Sequence, residues 1–377
     1  MKKVRSIPVA AVIALLLAFV ALLSIACRRE KPPIKIGFVG GLTGRYADLG
    51  AAGRDGALLA VEECNEKGGI ANRKVWLISK DDRQDEKNAL QVDRELMDEG
   101  VAAIIGHMTS SMSVAAVPLM NEKKMVMISP TSTTNALNGK DDYFFRIEPA
   151  SKSQTESLAR YAIERAHLKR ISVIYDRANQ TYSEDYYQVF SALFTARGGE
   201  ISAVESYRSL PDASFEKVVA RILKAKPEGV LLIANAPDAA DLCQQIRKWG
   251  SDAVILSSGW AMTEVFLHNG GKAVEGVVFD NLIDIGSQDK RFVDFENRFK
   301  KRFGGTPSFG AVHGYEAARL LLDALTINAD PAQLKQTLHG VDTVYGLFGD
   351  FSLDRFGDAR RHSFILTVRD RRFQRLE

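Results

Sequence analysis

From Ile34 onward, short apolar runs alternate with stretches in which apolar residues recur at helical spacing. Ile34–Val39 reads as a strand. Ala57, Ala60, Val61 and Cys64 then mark one face of a helix that Gly68-Gly69 stops. Val75–Ile78 follows as a strand, and Ala89, Val92 and Leu96 give a second helix ended by Gly100. Val101–Ile105 is apolar without alternation, the pattern of a strand with both faces covered. A helix over 110–122 and a strand at Met125–Ile128 complete the first half. This order predicts an α/β fold built on a doubly wound parallel sheet.

The pattern restarts after Phe144–Pro149. Helices are predicted over 151–166, 183–197, 214–225 and 237–249. Strands are predicted at Ile171–Tyr175, Ile201–Tyr207, Val230–Ala234, Val254–Ser257 and Val277–Asp280. Two long helices, 288–303 and 309–327, follow. The tail reads as a hairpin of Leu347–Leu353 with Ser363–Val368, turning near Gly357-Asp358. No stretch rich in Pro, Gly or Ser divides the halves. The expectation is two lobes joined by several short crossings rather than by one flexible linker.

The first residues follow another logic. Lys2, Lys3 and Arg5 precede Ile7–Ala26, a run without charge that ends in Leu23-Ser24-Ile25-Ala26-Cys27. That ending resembles a bacterial lipoprotein processing site, with Ser24 where leucine is preferred. It implies a signal peptide over 1–26, a lipid on the Cys27 thiol and a tether over 27–33. An uncleaved membrane helix is the alternative, since the run is about long enough to span a bilayer. The net charge of +3 resides here, because no acid precedes Cys27. A neutral remainder has no global field to draw it to nucleic acid. The basic tail (Arg360, Arg361, Arg369, Arg371, Arg372, Arg375) reads as a solvated edge. Cys64 and Cys243 fall on apolar helix faces far apart in sequence, as buried free thiols do.

Enzyme signatures fail. The chain has no G-x-S-x-G, P-loop, H-E-x-x-H or C-x-x-C. Gly40-Gly41-Leu42-Thr43-Gly44 lacks dinucleotide spacing. His107, at a strand end, reads as structural, and neither metal nor cofactor is expected. What remains are polar residues at the carboxyl ends of parallel strands, where open α/β sheets bind ligands. Ser110 or Ser111 is a natural N-cap, and the N–H groups there also suit an anion; both readings stand. Thr131, Ser132 and Thr133 lie in Ser129–Thr134, which is either a hydroxyl-bearing ligand loop or turn filler. Tyr182 opens a helix in the second half.

At these residues the sequence resembles the Leu/Ile/Val-binding family of type I periplasmic binding proteins, over Ile34 to Val368. The likeness is densest in Ile36-Gly37 through Thr43-Gly44, Asn65-Glu66-Lys67-Gly68-Gly69-Ile70, Asp81-Asp82, Ile105-Gly106-His107, Ser110-Ser111, Ser129-Pro130 to Thr133, and Gly276-Val277-Val278. The resemblance implies two lobes joined by three crossings, with a ligand clamped between them. The N-lobe would comprise 34–148 with 282–346, and the C-lobe 149–281 with 347–377. Hinges would lie near Ile147–Pro149, Asn281–Ile283 and Gly346–Gly349, and lobe closure would expose the surface an importer reads. Ser110, Thr131, Thr133 and Tyr182 match the family's ligand contacts. Ser111, Ser132, Asn235, Trp260 and Tyr315 complete the candidate set.

This sequence departs from the family in three places. Trp260 stands about where amino-acid binders carry the acid that meets the ligand ammonium. Glu264, Asp238 and Asp280 are the remaining candidate acids. The cleft tyrosine expected near Ala234-Asn235 is missing, and Gln84 and Thr109 stand near the positions of the family's N-lobe disulfide. The resemblance implies a lipid-anchored, extracytoplasmic binding protein rather than an enzyme. It would deliver a branched-chain or related amino acid, or a similar small carboxylate, to an ABC permease and its ATPase. Two alternatives are a sensor coupled to a membrane signalling partner and a binder of a carboxylate without an ammonium, packed on Trp260.

Overall fold

The structure is a computed structural model that describes residues 31–210, 214–284 and 286–376. The chain begins β1 (Ile34–Gly40), α1 (Ala47–Glu66), β2 (Val75–Asp81), α2 (Glu86–Asp98), β3 (Ile104–Ile105), α3 (Ser110–Lys123), β4 (Met127–Ser129) and β5 (Phe144–Arg146). It continues with α4 (Ser151–Glu164), β6 (Arg170–Asp176), α5 (Gln180–Ala196), β7 (Glu200–Tyr207), α6 (Glu216–Leu223), β8 (Gly229–Ile233), α7 (Ala236–Lys248), β9 (Val254–Ser257), α8 (Glu264–Gly270) and β10 (Val278–Asn281). The last elements are α9 (Lys290–Phe303), α10 (Phe309–Ile327), α11 (Leu334–His339), β11 (Ser352–Leu353), β12 (Ala359–Arg360), β13 (Phe364–Arg369) and β14 (Arg372–Arg375).

Two large sheets result, one per lobe. The first has the order β2-β1-β3-β4-β5 and is parallel throughout. The second has the order β14-β13-β10-β9-β8-β6-β7, with β6 to β10 parallel and the last two strands antiparallel. The carboxyl ends of β1, β3 and β4 face those of β6 and β9 across a cleft, which gathers the polar loops that follow these strands.

α10 returns to the first lobe and packs on α1 at backbone contact. A Cβ on Gly56 would lie 1.9 Å from the Ala311 carbonyl oxygen, and one on Gly314 would lie 2.1 Å from that of Gly53. Only glycine permits this approach, and it places Phe309 over the cleft. Gly106 closes the β3 end against β1 with φ of 148°, where a Cβ would meet the Val39 oxygen at 2.5 Å. Cys64 and Cys243 are free, and burial pushes the Cys243 thiol up to about 12. No helix among the described residues is long and apolar enough to cross a membrane.

The tail differs from expectation. Leu347–Leu353 does not pair with Ser363–Val368. Instead β11 pairs with β12, while β13 pairs with β10 and β14. The β11–β12 hairpin lies on the first sheet, not in the second lobe. The Arg146 N–H donates to the Gly357 oxygen at 3.1 Å, and Arg146 Nε lies 2.6 Å from Asp358 Oδ1. Arg146 is fully buried, and a buried guanidinium requires an acid, which holds this hairpin in place. The third passage between sheets therefore runs through 361–363 rather than Gly346–Gly349.

Candidate functional site

The cleft is closed on a cavity walled by both lobes and the crossings. The first lobe contributes Leu49 of α1, Met108 and Thr109, Ser110 at the start of α3, Thr131 and Thr133, and Phe309 of α10. The crossings contribute Glu148 and Asn281; the second lobe contributes Gln154, Asn179, Tyr182, Gly259 and Trp260. The space between the walls is narrow, with a cavity volume of about 30 Å³.

One end of the cavity is the start of α3. Thr109 occupies the N-cap position without a side-chain cap bond. Ser110 and Ser111 therefore follow the cap instead of forming it. Ser110 Oγ accepts the Thr133 N–H at 3.3 Å, and Thr131 Oγ1 donates to the Met108 oxygen at 2.6 Å. Thr133 Oγ1 is buried without a hydrogen-bond partner among the described residues, although the residue lines the cavity. A buried hydroxyl is ordinarily paired, so this one is available to a bound group.

Behind that loop, His107 is buried between Asp82 and Asp93, with Nδ1 and Nε2 at 2.9 and 3.2 Å from their oxygens. Burial opposes the charge, but Asp93 and Asp82 outweigh it and hold the imidazolium pKa up at about 10. His107 is structural: its carbonyl accepts from Ser129 Oγ at 2.8 Å and ties together the loops that follow β3 and β4. Thr109 and Gln84, near the expected disulfide positions, are joined by a 3.0 Å hydrogen bond.

Contacts across the cleft fix the closed arrangement. Arg45 Nε lies 2.5 Å from Asp238 Oδ1, and its Nη2 lies 3.3 Å from Asp241. Tyr46 Oη donates to Asp176 at 2.6 Å, and Thr263 Oγ1 to Asp48 at 3.1 Å. The Ser111 N–H donates to Asn179 at 3.1 Å, and Ser111 Oγ accepts the Thr181 N–H at 3.2 Å. Trp260 stacks on Tyr46 at 5.6 Å between centroids and meets Tyr182 edge-on at 5.4 Å. The indole is thus a bridge between the lobes as well as a cavity wall.

Arrangement and sequence meet the same family. The family model described as periplasmic binding protein matches residues 33–372. The chain belongs to this family. The Leu/Ile/Val-binding protein BraC3 of Rhizobium johnstonii is 27% identical over 262 residues, 67% of this chain and 68% of the relative. Among solved structures, the leucine-binding protein LivK from Thermotoga maritima superposes with a TM-score of 0.84 at 25% identity, covering 91% of this chain and 98% of that one. An R. palustris solute-binding protein in complex with benzoate gives 0.82 at 20% identity, covering 91% and 95%.

Within this periplasmic-binding-protein frame the candidate residues divide. Ser110, Thr131, Thr133, Tyr182 and Trp260 share the cavity. Ser111 instead joins the lobes at the rim, and Ser132 turns inward to Ser113 at 2.7 Å. Asn235 caps α7 and bonds Ser209 and Asp238, away from the cavity. Tyr315 bonds Glu63 at 2.9 Å within the first lobe. The three candidate acids also miss the cavity. Asp238 is held by Arg45 and Tyr207, and Glu264 is exposed in a separate groove. Asp280 is buried and accepts from Tyr186 Oη and the Gly259 N–H; burial pushes its carboxyl up to about 6. The acid that does line the cavity is Glu148, which the sequence reading passed over. Its one sequence signal is a charged residue before Pro149, at a lobe crossing.

Proposed function

We propose that this chain is the solute-binding component of an ABC importer, catching a branched-chain or related amino acid, or a similar small carboxylate, in the closed cleft. The observation that carries this reading is the buried Thr133 hydroxyl, without a partner among the described residues, beside Ser110 at the start of α3. A carboxylate there would take the hydroxyl and the helix N–H groups, whose dipoles favour negative charge. The Leu/Ile/Val-binding relative and the benzoate-bound neighbour both support a small carboxylate. The importer partner follows the family's habit, with a sensor role as the alternative. Anchoring through lipid on Cys27, outside the described residues, would place the protein extracytoplasmically on a membrane surface. A thermal-shift screen of amino acids and small carboxylates tests the function. A true ligand at about 100 times its dissociation constant stabilises by roughly 2.7 kcal/mol. No shift with any of them sinks the proposal.

A further inference from the structure

We infer that Glu148 recognises the ligand's cationic group and so determines that this cleft takes zwitterions in preference to simple carboxylates. This rests on the reading of the cleft as a small-carboxylate site. Among the described residues lining the cavity, Glu148 is the one charged side chain, and it is 6% exposed. The opposite end is built for an anion. A ligand bearing only a carboxylate would bring a second negative charge into a small enclosed space, where water screens poorly. A ligand with an adjacent ammonium would be neutral overall and would complement both ends.

The carboxylate is also positioned for such contact. Gln154 Nε2 donates to its Oε2 at 3.0 Å. His313 Nδ1 lies 2.6 Å from its Oε1, in contact but not aligned as a hydrogen bond. These neighbours orient the group and leave acceptor sites on both oxygens, since an ionised carboxylate has about four lone-pair directions. Glu148 begins the crossing into α4, and His313 sits on α10, so the acid is fixed at the hinge rather than on either closing wall. Trp260 lines the same cavity as an uncharged wall, so Glu148 supplies the negative charge there.

The test is calorimetry on paired probes: leucine with 4-methylpentanoate, and phenylalanine with 3-phenylpropanoate. The wild type should bind at least one amino acid more tightly than its deaminated partner. Glu148→Gln should weaken that amino acid by about 10- to 100-fold, the range for hydrogen bonds to charged groups, and leave or improve the deaminated acid. Glu148→Asp should retain the preference. The affinity ratio within one preparation does not depend on the folded fraction, so impaired folding cannot mimic the result. A wild type that prefers the deaminated acids overturns the inference but leaves the solute-binding reading intact. Equal loss for both members of a pair assigns Glu148 to shaping the cleft and overturns it too. If no probe binds, the inference falls together with the small-carboxylate reading.

Discussion

Replacing Arg45 by alanine should weaken ligand binding although Arg45 does not line the cavity. In the closed cleft its guanidinium reaches Asp238 and Asp241 across the lobes, and its side chain is 23% exposed while that of Asp238 is fully buried. Removing one partner of a fully buried pair costs about 3–5 kcal/mol. Here the loss is smaller, because Arg45 is partly solvated and Asp238 keeps Tyr207 Oη at 3.0 Å and Asn235 Nδ2 at 2.9 Å. A charged hydrogen bond is worth about 1.5–3 kcal/mol, so about 2 kcal/mol is reasonable. The closed state alone carries this contact. A ligand that needs closure would therefore bind roughly 30-fold more weakly, with most of the change in dissociation rate. Calorimetry with the best ligand from the screen, paired with stopped-flow dissociation, measures both. Arg54→Ala is the control: its contact to Asp55 at 2.9 Å is half-buried but local, between chain neighbours within one lobe, so affinity should hold. An Arg45→Ala protein that binds within twofold of the wild type would refute closure through this latch.

Three further outcomes follow from the geometry. Thr133→Val removes a buried hydroxyl that lacks a protein partner, so unfolding stability should hold or rise in urea melts, while affinity for a carboxylate falls by about 1–2 kcal/mol; a matching loss of stability would contradict the assignment. His107 binds its proton more tightly when folded, so its contribution is complete below pH 6.5 and is lost as pH rises through about 10. Urea melts across that window should show wild-type stability falling and His107→Gln, already weakened by roughly 3–5 kcal/mol, changing less; parallel curves would rule the triad out as the cause. Cys27→Ser should release the protein to the soluble fraction or block its processing, and a mutant that remains membrane-bound with residues 1–26 removed would defeat the lipid anchor.

Much of the fold was legible because periodicity reports burial directly. The helix over 309–327 matches α10 at both ends, and Val254–Ser257 matches β9. Fully covered parallel strands leave apolar runs that few other elements mimic. The tail was misread because β13 and Leu347–Leu353 are both short runs rich in apolar residues, and composition does not say which strand each one joins. Their pairing was decided by the buried Arg146 meeting Asp358, a contact with no local sequence trace. The shared place of Ser110, Thr131 and Thr133 in the cavity was legible for a different reason: they follow strand ends, and α/β topology sends those to one cleft. Glu148 was not, since it stands alone in a crossing and gains its place through Gln154 and the distant His313. Asn235 and Tyr315 were polar residues on the expected elements, but the neighbouring Asp238 and Glu63 hold them elsewhere.

Trp260 provides the most direct test of binding in the cleft. Of the three tryptophans, Trp76 and Trp249 are 56% and 52% exposed, whereas Trp260 is buried between Tyr46 and Tyr182 in the cavity wall. The protein carrying Trp76→Phe and Trp249→Phe would report emission from Trp260 alone. Titrated with amino acids and small carboxylates, it should show a saturable, single-site change for at least one of them, and Ser110→Ala should shift that curve to higher concentration. Emission that stays constant with every such solute, or a response that Ser110→Ala leaves unmoved, would contradict the account.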